Sequence, residues 1–526
     1  MRDTNRRHVR SGNTGCTAVP EGNLTVVNGG ALPWVFSLSA EGKELEPVHL
    51  PRVAVRLPRL SFAYGVAAVL LGAVSAFAAA WVRLGFRGLQ WLLTQSGGAA
   101  PMAANHLGAW RRVLTPMVGA LLASLVLFLR RRRAHRLGRE PRPYVEYVEA
   151  VRHGHGTIPL LPNCWRTLSA AFSVASGAAV GREGSMIQFA AAIASAAGKW
   201  LSERWGSRLE KRWGSPRSSR RAADAPLDLS LLVAFGIAGG VVTAYNAPVA
   251  AVFFAAEIVL GGLDWRELPL LALAAGSGWL VSGSMLGWKR LYPTPVSMPA
   301  GWWWAVWLPL MALLFGVLGP GYQKLIRGLQ AGRKLPLALL WGGLLVGLLS
   351  VWDPRVWGNG DFGLSAALGR AELPGFAIAA PALGLLLGLR LLATTACVST
   401  GTVGGAFTPT LFAGGAVGAL LGHLLVHVGQ GSSSTLWAIA GMSCLMAAVT
   451  HAPLMAACMA VELTGNWRLL PGLIVLNGIS WQVARSLSGA ALYAIASEAP
   501  GRHVLTQAPE PAAVRTRTGY NGPGNA

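Results

Sequence analysis

Charged residues are scarce in this chain. They make up 13% of the 526 residues, whereas 53% are hydrophobic and the mean hydropathy is +0.45. Soluble domains carry about 25% charged residues, so this composition excludes an ordinary soluble protein. Cysteine is also sparse. The five cysteines show no CxxC or metal-ligand spacing, and an odd number does not indicate a disulfide framework. We therefore expect no metal site, no cofactor and no disulfide scaffold.

Long apolar runs stand where charge is missing. The 23 residues from Leu60 to Val82 contain no charged side chain, and about 20 residues suffice for a helix to cross a bilayer. Further apolar runs follow as far as residue 482, and several are short and interrupted by Gly or Pro. Such runs indicate broken helices that end inside the protein. The sequence therefore predicts an all-α polytopic membrane protein.

The net charge of +23 comes from 45 basic and 22 acidic residues. In a soluble protein this excess would suggest nucleic acid. Here the basic residues cluster at Arg130 to Arg133 and in the loop 202–227, and positive residues mark the cytosolic side of a membrane protein. We expect a multi-pass membrane protein with no nucleic-acid partner. Residues 1–56 lack a periodic apolar face and are predicted to form a disordered cytosolic tail.

One apolar run opens with a charged pair. Gly181-Arg182-Glu183-Gly184-Ser185 leads directly into Met186 to Ala197, and charges at such a place are costly unless they act on an ion. A helix that begins at Glu183 or Gly184 would offer free N–H groups and partial positive charge to an anion. Glu183 is then a tethered anion that competes with a soluble one. The alternative is a Gly-rich surface turn in which Arg182 and Glu183 neutralise each other.

Two segments of the chain occur twice. Asn246-Ala247-Pro248 and His451-Ala452-Pro453 each precede a glutamate, Glu257 and Glu462, which lies eleven residues after the polar residue (257 − 246 and 462 − 451). We predict that Glu462 is a structural buried acid, the repeat partner of Glu257.

The charged segment Val180 to Ser185 likewise has a counterpart in Val403 to Thr408. In both copies a Phe follows the Val by nine positions, Phe189 and Phe412 (189 − 180 and 412 − 403). We infer a duplicated unit, with repeat one at about 57–265 and repeat two at about 300–497 inside one membrane domain, 57–497.

Duplicated membrane proteins with broken helices place their substrate between the repeats, near the middle of the bilayer. Helix amino ends at Glu183 and at Ala406-Phe407 would then face a common point. Because both ends carry partial positive charge, the arrangement selects an anion.

These segments resemble the CLC family of chloride channels and proton-coupled chloride transporters, closest to its bacterial branch of voltage-gated-type chloride channels. Four stretches carry the resemblance, over about 60–497. Gly181 to Ser185 looks like the G-R-E-G-P motif, and Gly405-Ala406-Phe407-Thr408-Pro409 matches G-x-F-x-P. The two Ala-Pro segments are similar to the family's N/R-A-P, and Ala491-Leu492-Tyr493 falls where the family has its pore tyrosine.

The resemblance implies a CLC-type inverted repeat and a homodimer with one pore per subunit. It implies that Glu183 is the gating glutamate, and that the backbone N–H groups of Gly184, Ser185, Ala406 and Phe407 bind the anion. The Tyr493 hydroxyl would donate to the anion from the cytosolic side. Since 33 residues follow Tyr493 (526 − 493), we expect 498–526 to be a short cytosolic tail without CBS-type domains.

Two departures from the family pattern bear on function. Arg142, between two prolines, stands where the family has a pore serine, and we expect its side chain to turn toward the cytosolic vestibule. Family exchangers commonly have an inner glutamate one position beyond Glu257, where this chain has Ile258. Glu257 itself is a possible proton relay, or else a helix-end acid packed against loop bases.

The resemblance thus implies a chloride channel of the inner membrane that acts as an electrical shunt and is gated by voltage or pH through Glu183. An H⁺/Cl⁻ antiporter with a non-standard internal proton relay is the alternative. No Ser/His pair or HExxH motif suggests an enzyme. A transporter of organic anions would be distinguished by an anion-selectivity series.

Overall fold

The computed structural model describes residues 61–138, 144–213, 227–296, 302–328, 337–369, 378–427, 434–488 and 491–492. All of them belong to one compact unit. The predictions for the two tails, for Arg142 and for Tyr493 lie outside the described residues. Within these ranges the chain is helical, and the described β-pairing is a single bridge between Gly181 and Gly405. The predicted all-α class is confirmed.

Repeat one contains nine α-helices. They are α1 (Ser61–Thr94), α2 (Ala100–His106), α3 (Ala109–Arg136), α4 (Tyr147–Arg152), α5 (Leu160–Ala175), α6 (Glu183–Trp213), α7 (Leu229–Tyr245), α8 (Pro248–Phe253) and, just beyond the predicted boundary, α9 (Leu268–Leu286). A π-helical segment, Phe254–Leu260, continues α8.

Repeat two contains the remaining eight described α-helices. They are α10 (Trp304–Gly328), α11 (Ala338–Trp352), α12 (Asp361–Ala367), α13 (Ala380–Ser399), α14 (Phe407–His427), α15 (Ser434–Thr450), α16 (Pro453–Thr464) and α17 (Leu470–Leu487). Short 3₁₀ turns, Pro354–Val356 and Trp467–Leu469, precede α12 and α17.

Six described helices are long and apolar enough to cross a membrane. They are Phe62–Thr94, Ala109–Arg136, Leu268–Leu286, Trp304–Ile326, Ala380–Ser399 and Phe407–Val426. Five further apolar helices have only 10–17 residues, as expected for helices that end inside the protein. Large apolar side chains such as Trp81, Leu121 and Val317 lie exposed on the long helices, where lipid rather than water is a suitable solvent.

The core is built around two equivalent helices of 17 residues, α7 and α15. Every residue from Ser230 to Tyr245 and from Leu436 to Thr450 is buried, as expected of helices that are apolar on all sides. Helix α7 packs on α1, α6 and α9, and α15 packs on α10, α14 and α17. The two halves therefore surround their central helices with corresponding partners.

Local signals fix the ends of these helices in the same way in both repeats. Proline is the first residue of α8 and of α16, where its fixed φ and missing N–H are tolerated. The polar residues before them, Asn246 and His451, adopt left-handed φ values of 53° and 57°. Equal backbone turns at the two Ala-Pro segments confirm the duplication.

The predicted register of the duplication is wrong by one residue at the charged segment. Pairing Val180 with Val403 in the sequence gives an offset of 223 residues between the repeats (403 − 180). In the structure the offset is 224, both between the first residues of the two helices, Glu183 and Phe407 (407 − 183), and between the bridged glycines, Gly181 and Gly405 (405 − 181). Because backbone hydrogen bonds define the register, the shared Val-to-Phe spacing is a coincidence of sequence.

Candidate anion-binding site

The two repeats meet at a pair of glycines. The N–H of Gly181 donates to the carbonyl oxygen of Gly405, and the N–H of Gly405 donates to the carbonyl oxygen of Gly181, both over 2.7 Å. Helix α6 begins two residues after one glycine, at Glu183, and α14 begins two residues after the other, at Phe407. The predicted convergence of two helix amino ends is confirmed.

Glycine is required at this crossing because the backbones touch. A Cβ atom on Gly184 would lie 2.9 Å from the Gly405 Cα atom, and one on Gly181 would lie 2.9 Å from the Gly405 carbonyl oxygen. Contacts this short force backbone to move. The bare backbones therefore bring the first turns of the two helices against each other.

The amides at this crossing remain available. Within the described residues, the N–H groups of Gly184, Ser185, Ala406 and Phe407 donate to no protein group, as expected for the first turn of a helix. The Ser185 hydroxyl oxygen is buried and also has no described partner. Buried donors without acceptors are unfavourable, and together with two helix dipoles they form a surface suited to an anion.

The Glu183 carboxylate belongs to the first residue of α6, and no described backbone N–H group donates to it. It is 4% exposed, and its Oε1 atom accepts a 2.7 Å hydrogen bond from Nδ2 of Asn359. The Nε atom of Arg182 is 3.7 Å from the same oxygen, so part of the predicted mutual neutralisation is present, at a buried rather than a surface position. The other oxygen, Oε2, has no described partner and lies against Gly181.

Aromatic rings enclose the amino end of α14. The buried Phe407 ring lies 5.0 Å from the Tyr245 ring and 6.1 Å from the Phe254 ring, measured between centroids. The Tyr245 hydroxyl is within 3.3 Å of Thr408 Oγ1. These contacts tie the second repeat's helix end to α7 and to the π-helical segment of the first repeat.

The two repeated glutamates cap each other's helices. Glu257 accepts from the backbone N–H groups of Leu454 and Met455 at 3.3 and 2.8 Å, at the start of α16. Glu462 accepts from Val249 and Ala250 at 3.0 and 2.7 Å, at the start of α8. Glu462 is buried, which confirms the predicted structural acid. The contacts of Glu257 establish that it caps α16, and its proton-relay role stays a prediction.

The π-helical segment marks the point where the repeats differ. Glu257 and Glu462 keep the offset of 205 (462 − 257), but the left-handed glycines that end the two helices, Gly261 and Gly465, are 204 apart (465 − 261). The first repeat thus holds one extra residue after Glu257. A π-turn absorbs such an insertion, and π-turns often occur at functional sites.

Comparisons with known proteins agree with this geometry. The family model described as Voltage gated chloride channel matches residues 135–485. The chain belongs to that family. A putative chloride channel protein ClcB-like from Ralstonia nicotianae is 35% identical over 434 residues, which are 81% of this chain and 94% of the relative. A voltage-gated ClC-type chloride channel ClcB from Shigella flexneri is 33% identical over 438 residues, 81% of this chain and 96% of the relative.

Solved structures of the family share the fold. A slow cyanobacterial Cl⁻/H⁺ antiporter aligns with a TM-score of 0.65 at 22% identity, over 83% of this chain and 97% of its own. A CLC-type fluoride/proton antiporter aligns with a TM-score of 0.60 at 21% identity, over 82% and 97%. The predicted family and the CLC-type inverted repeat of broken helices are confirmed. Membership and the six apolar helices make the chain a multi-pass inner-membrane protein of an ion channel and transporter family, which is not a class of enzymes.

Sequence reasoning missed two residues of the site. Asn359 bonds to Glu183 from a residue 176 positions away (359 − 183), and Arg390 holds the segment that carries Asn359. A lone charge in the apolar run 374–396 was the one available signal, since a buried arginine in a membrane helix is costly without a function.

Proposed function

We propose that the protein is a chloride channel of the inner membrane, gated by the carboxylate of Glu183 under voltage or pH and acting as an electrical shunt. The anion would bind to the amides of Gly184, Ser185, Ala406 and Phe407, with the Tyr493 hydroxyl on the cytosolic side. The relatives' names support chloride as the ion.

One observation carries the proposal: a buried carboxylate lies beside two converging helix ends whose amides have no acceptor among the described residues. A carboxylate and a chloride ion compete for the same donors. Backbone N–H groups carry no full charge, so they bind an anion without trapping it, as conduction requires.

The test is chloride efflux from liposomes reconstituted with the full chain. Glu183→Gln and Glu183→Ala should conduct freely and lose their dependence on external pH, because neither side chain can compete as an anion. Glu203→Gln is the matched control, since Glu203 lies exposed on the same helix. Unchanged efflux and pH response in both Glu183 variants would remove this residue from gating.

The second candidate is an H⁺/Cl⁻ antiporter with Glu257 in a non-standard internal relay. Glu257 is an acid within the π-helical segment Phe254–Leu260, next to the buried Ile258, and π-helical segments often occur at functional sites. Proton movement against its gradient, driven by chloride in the same liposomes, would decide for exchange. Chloride efflux without coupled proton movement decides for the channel.

The assembly proposed with this function is a homodimer in which each subunit carries its own pore. Cross-linking in lipid, or the mass of the detergent-solubilised complex, tests it. One protomer per complex would contradict the dimer.

A further inference from the structure

Asn359 is a buried amide whose orientation is fixed. It lies between the 3₁₀ turn Pro354–Val356 and helix α12, and it is 8% exposed. Its Oδ1 atom accepts from the backbone N–H of Asp361 at 3.3 Å, so its Nδ2 atom points toward Glu183 and donates over 2.7 Å. A donor held in this way binds the charged carboxylate and not an alternative partner.

The segment that carries Asn359 is clamped by a buried guanidinium. Arg390, on α13, is 2% exposed and donates from Nη1 to the carbonyl oxygens of Arg355 and Val356 at 3.1 and 2.9 Å. Its Nη2 atom donates to the carbonyl oxygen of Gly358 at 2.9 Å. A guanidinium presents its donors in a rigid fork, so these bonds fix three carbonyls of one turn at once.

Backbone contacts complete the clamp. The N–H of Gly358 donates to the carbonyl oxygen of Gly177, and Gly360 adopts a φ of 100°, which a side chain rarely allows. A Cβ atom on Gly177 would lie 2.4 Å from the ring of Trp357. The loop of repeat two is therefore seated on the turn that leads into α6, and Asn359 has little freedom to leave Glu183.

We infer that Asn359 is a latch for the gate: its amide, held by Arg390, keeps the Glu183 carboxylate off the amides of α6 and α14 and so favours the anion-accepting state. The inference rests on the proposed function of Glu183. In the structure, a Glu183 carboxylate oxygen accepts a hydrogen bond from Asn359, and the backbone amides at the starts of α6 and α14 have no described acceptor. Arg390 is then a positioning residue that acts through Asn359.

Other charges face the same carboxylate. Arg182 lies on its own segment, and Arg83 from α1 interacts electrostatically with both Glu183 and Asp361 of α12. Tyr292 lies within range of the same groups. The two arginines attract the carboxylate and Asp361 repels it, whereas Asn359 supplies its described hydrogen-bond donor. Losing that donor, a bond to a charged group, should shift the gate about tenfold to a hundredfold toward closure.

The test uses the full chain in liposomes and the variant Asn359→Leu, which keeps the size and removes the donor. At pH 7.5 its chloride efflux should fall about tenfold to a hundredfold, and acid should restore it because protonation removes the competing anion. The double variant Asn359→Leu/Glu183→Gln should conduct like Glu183→Gln alone.

Controls separate the latch from folding and from the proposed function. Asn477→Leu removes a buried amide that bonds Ser443 and Pro453 instead, and it should keep the wild-type pH profile. If efflux falls in Asn359→Leu and the added Glu183→Gln change does not restore it, Asn359 has a merely structural role and the latch is overturned. Normal efflux in Asn359→Leu, in a series where Glu183→Gln raises efflux, would overturn it as well. If Glu183→Gln itself changes nothing, the proposed function fails as well.

Discussion

Replacing Glu462 with glutamine should destabilise the protein more than the same change at Glu257. Each carboxylate accepts two backbone N–H bonds at the start of the opposite repeat's helix, but the bonds to Glu462 are shorter, 3.0 and 2.7 Å against 3.3 and 2.8 Å. Glu462 is buried and Glu257 is half-buried. Desolvated bonds to a charge contribute more, so the effect should be unequal.

The magnitude follows from the bonds. A hydrogen bond to a charged group contributes about 1.5–3 kcal/mol, and glutamine keeps one accepting oxygen but turns an NH₂ group toward the second N–H. Glu462→Gln should therefore cost about 2 kcal/mol, and Glu257→Gln about 1 kcal/mol. Glu462→Ala, which loses both bonds and the favourable helix-dipole interaction, should cost about 4 kcal/mol.

Thermal unfolding in detergent measures this order, and proton flux in liposomes measures the competing role of Glu257. Melting temperatures that fall in the order wild type, Glu257→Gln, Glu462→Gln, Glu462→Ala support the caps. A Glu257→Gln protein as stable as wild type, with proton coupling lost while Glu462→Gln keeps it, would refute the capping argument for Glu257 and establish a relay.

Three further predictions concern other parts of the structure. Gly184→Ala should weaken chloride binding in a titration and reduce efflux, since its Cβ would press on the Gly405 backbone, whereas Gly276→Ala on α9 meets nothing within 4 Å and should leave efflux unchanged. Ser185→Ala removes a buried hydroxyl that has no described acceptor, so thermal stability should stay within about 1 kcal/mol of wild type while anion affinity falls; unchanged affinity would exclude the hydroxyl from the site. Burial, with Asp264 and Asp228 nearby, raises the pKa of Glu267, just before α9, from 4.5 to about 7. The folded protein therefore retains this proton between those values, and stability falls as pH rises through that window. Glu267→Gln should melt at a higher temperature than wild type above pH 7 and at a similar one near pH 4.5; equal melting temperatures at both would contradict the assignment.

The helix ends of the site were predictable because local rules determine them. Glycines around a charged pair, followed by an apolar run, predicted a helix start at Glu183 or Gly184, and the repeated Gly-rich segment predicted a second at Ala406-Phe407. The helices begin at Glu183 and at Phe407. Proline at the first position of α8 and of α16 is a local signal of the same kind. Each of these signals lies within a few residues of the feature that it predicts.

The partners of the acids were not predictable from one sequence. Asn359 and Glu183 are 176 residues apart, and Glu462 and Ala250 are 212 apart. Those contacts depend on how the repeats pack, and nothing local distinguishes Asn359 from an ordinary turn residue. The register error at Val180 has the same origin, since side-chain likeness suggested 223 and the backbone bridge requires 224.

In the proposed function, the duplication supplies the binding surface, and the difference between the two repeats supplies the gate. In the structural register, Glu183 and Phe407 are equivalent: each is the first residue of its helix, two positions after a bridged glycine. Both helices offer amides, but a carboxylate at each end would place two like charges at one crossing, which is unfavourable. The second repeat instead has a phenylalanine that packs on Tyr245 and Phe254. One end is therefore packed by aromatic rings, while the other carries the carboxylate that we propose competes with chloride. An exchange of Glu183 and Phe407 would on that proposal not be neutral, even though the backbones match.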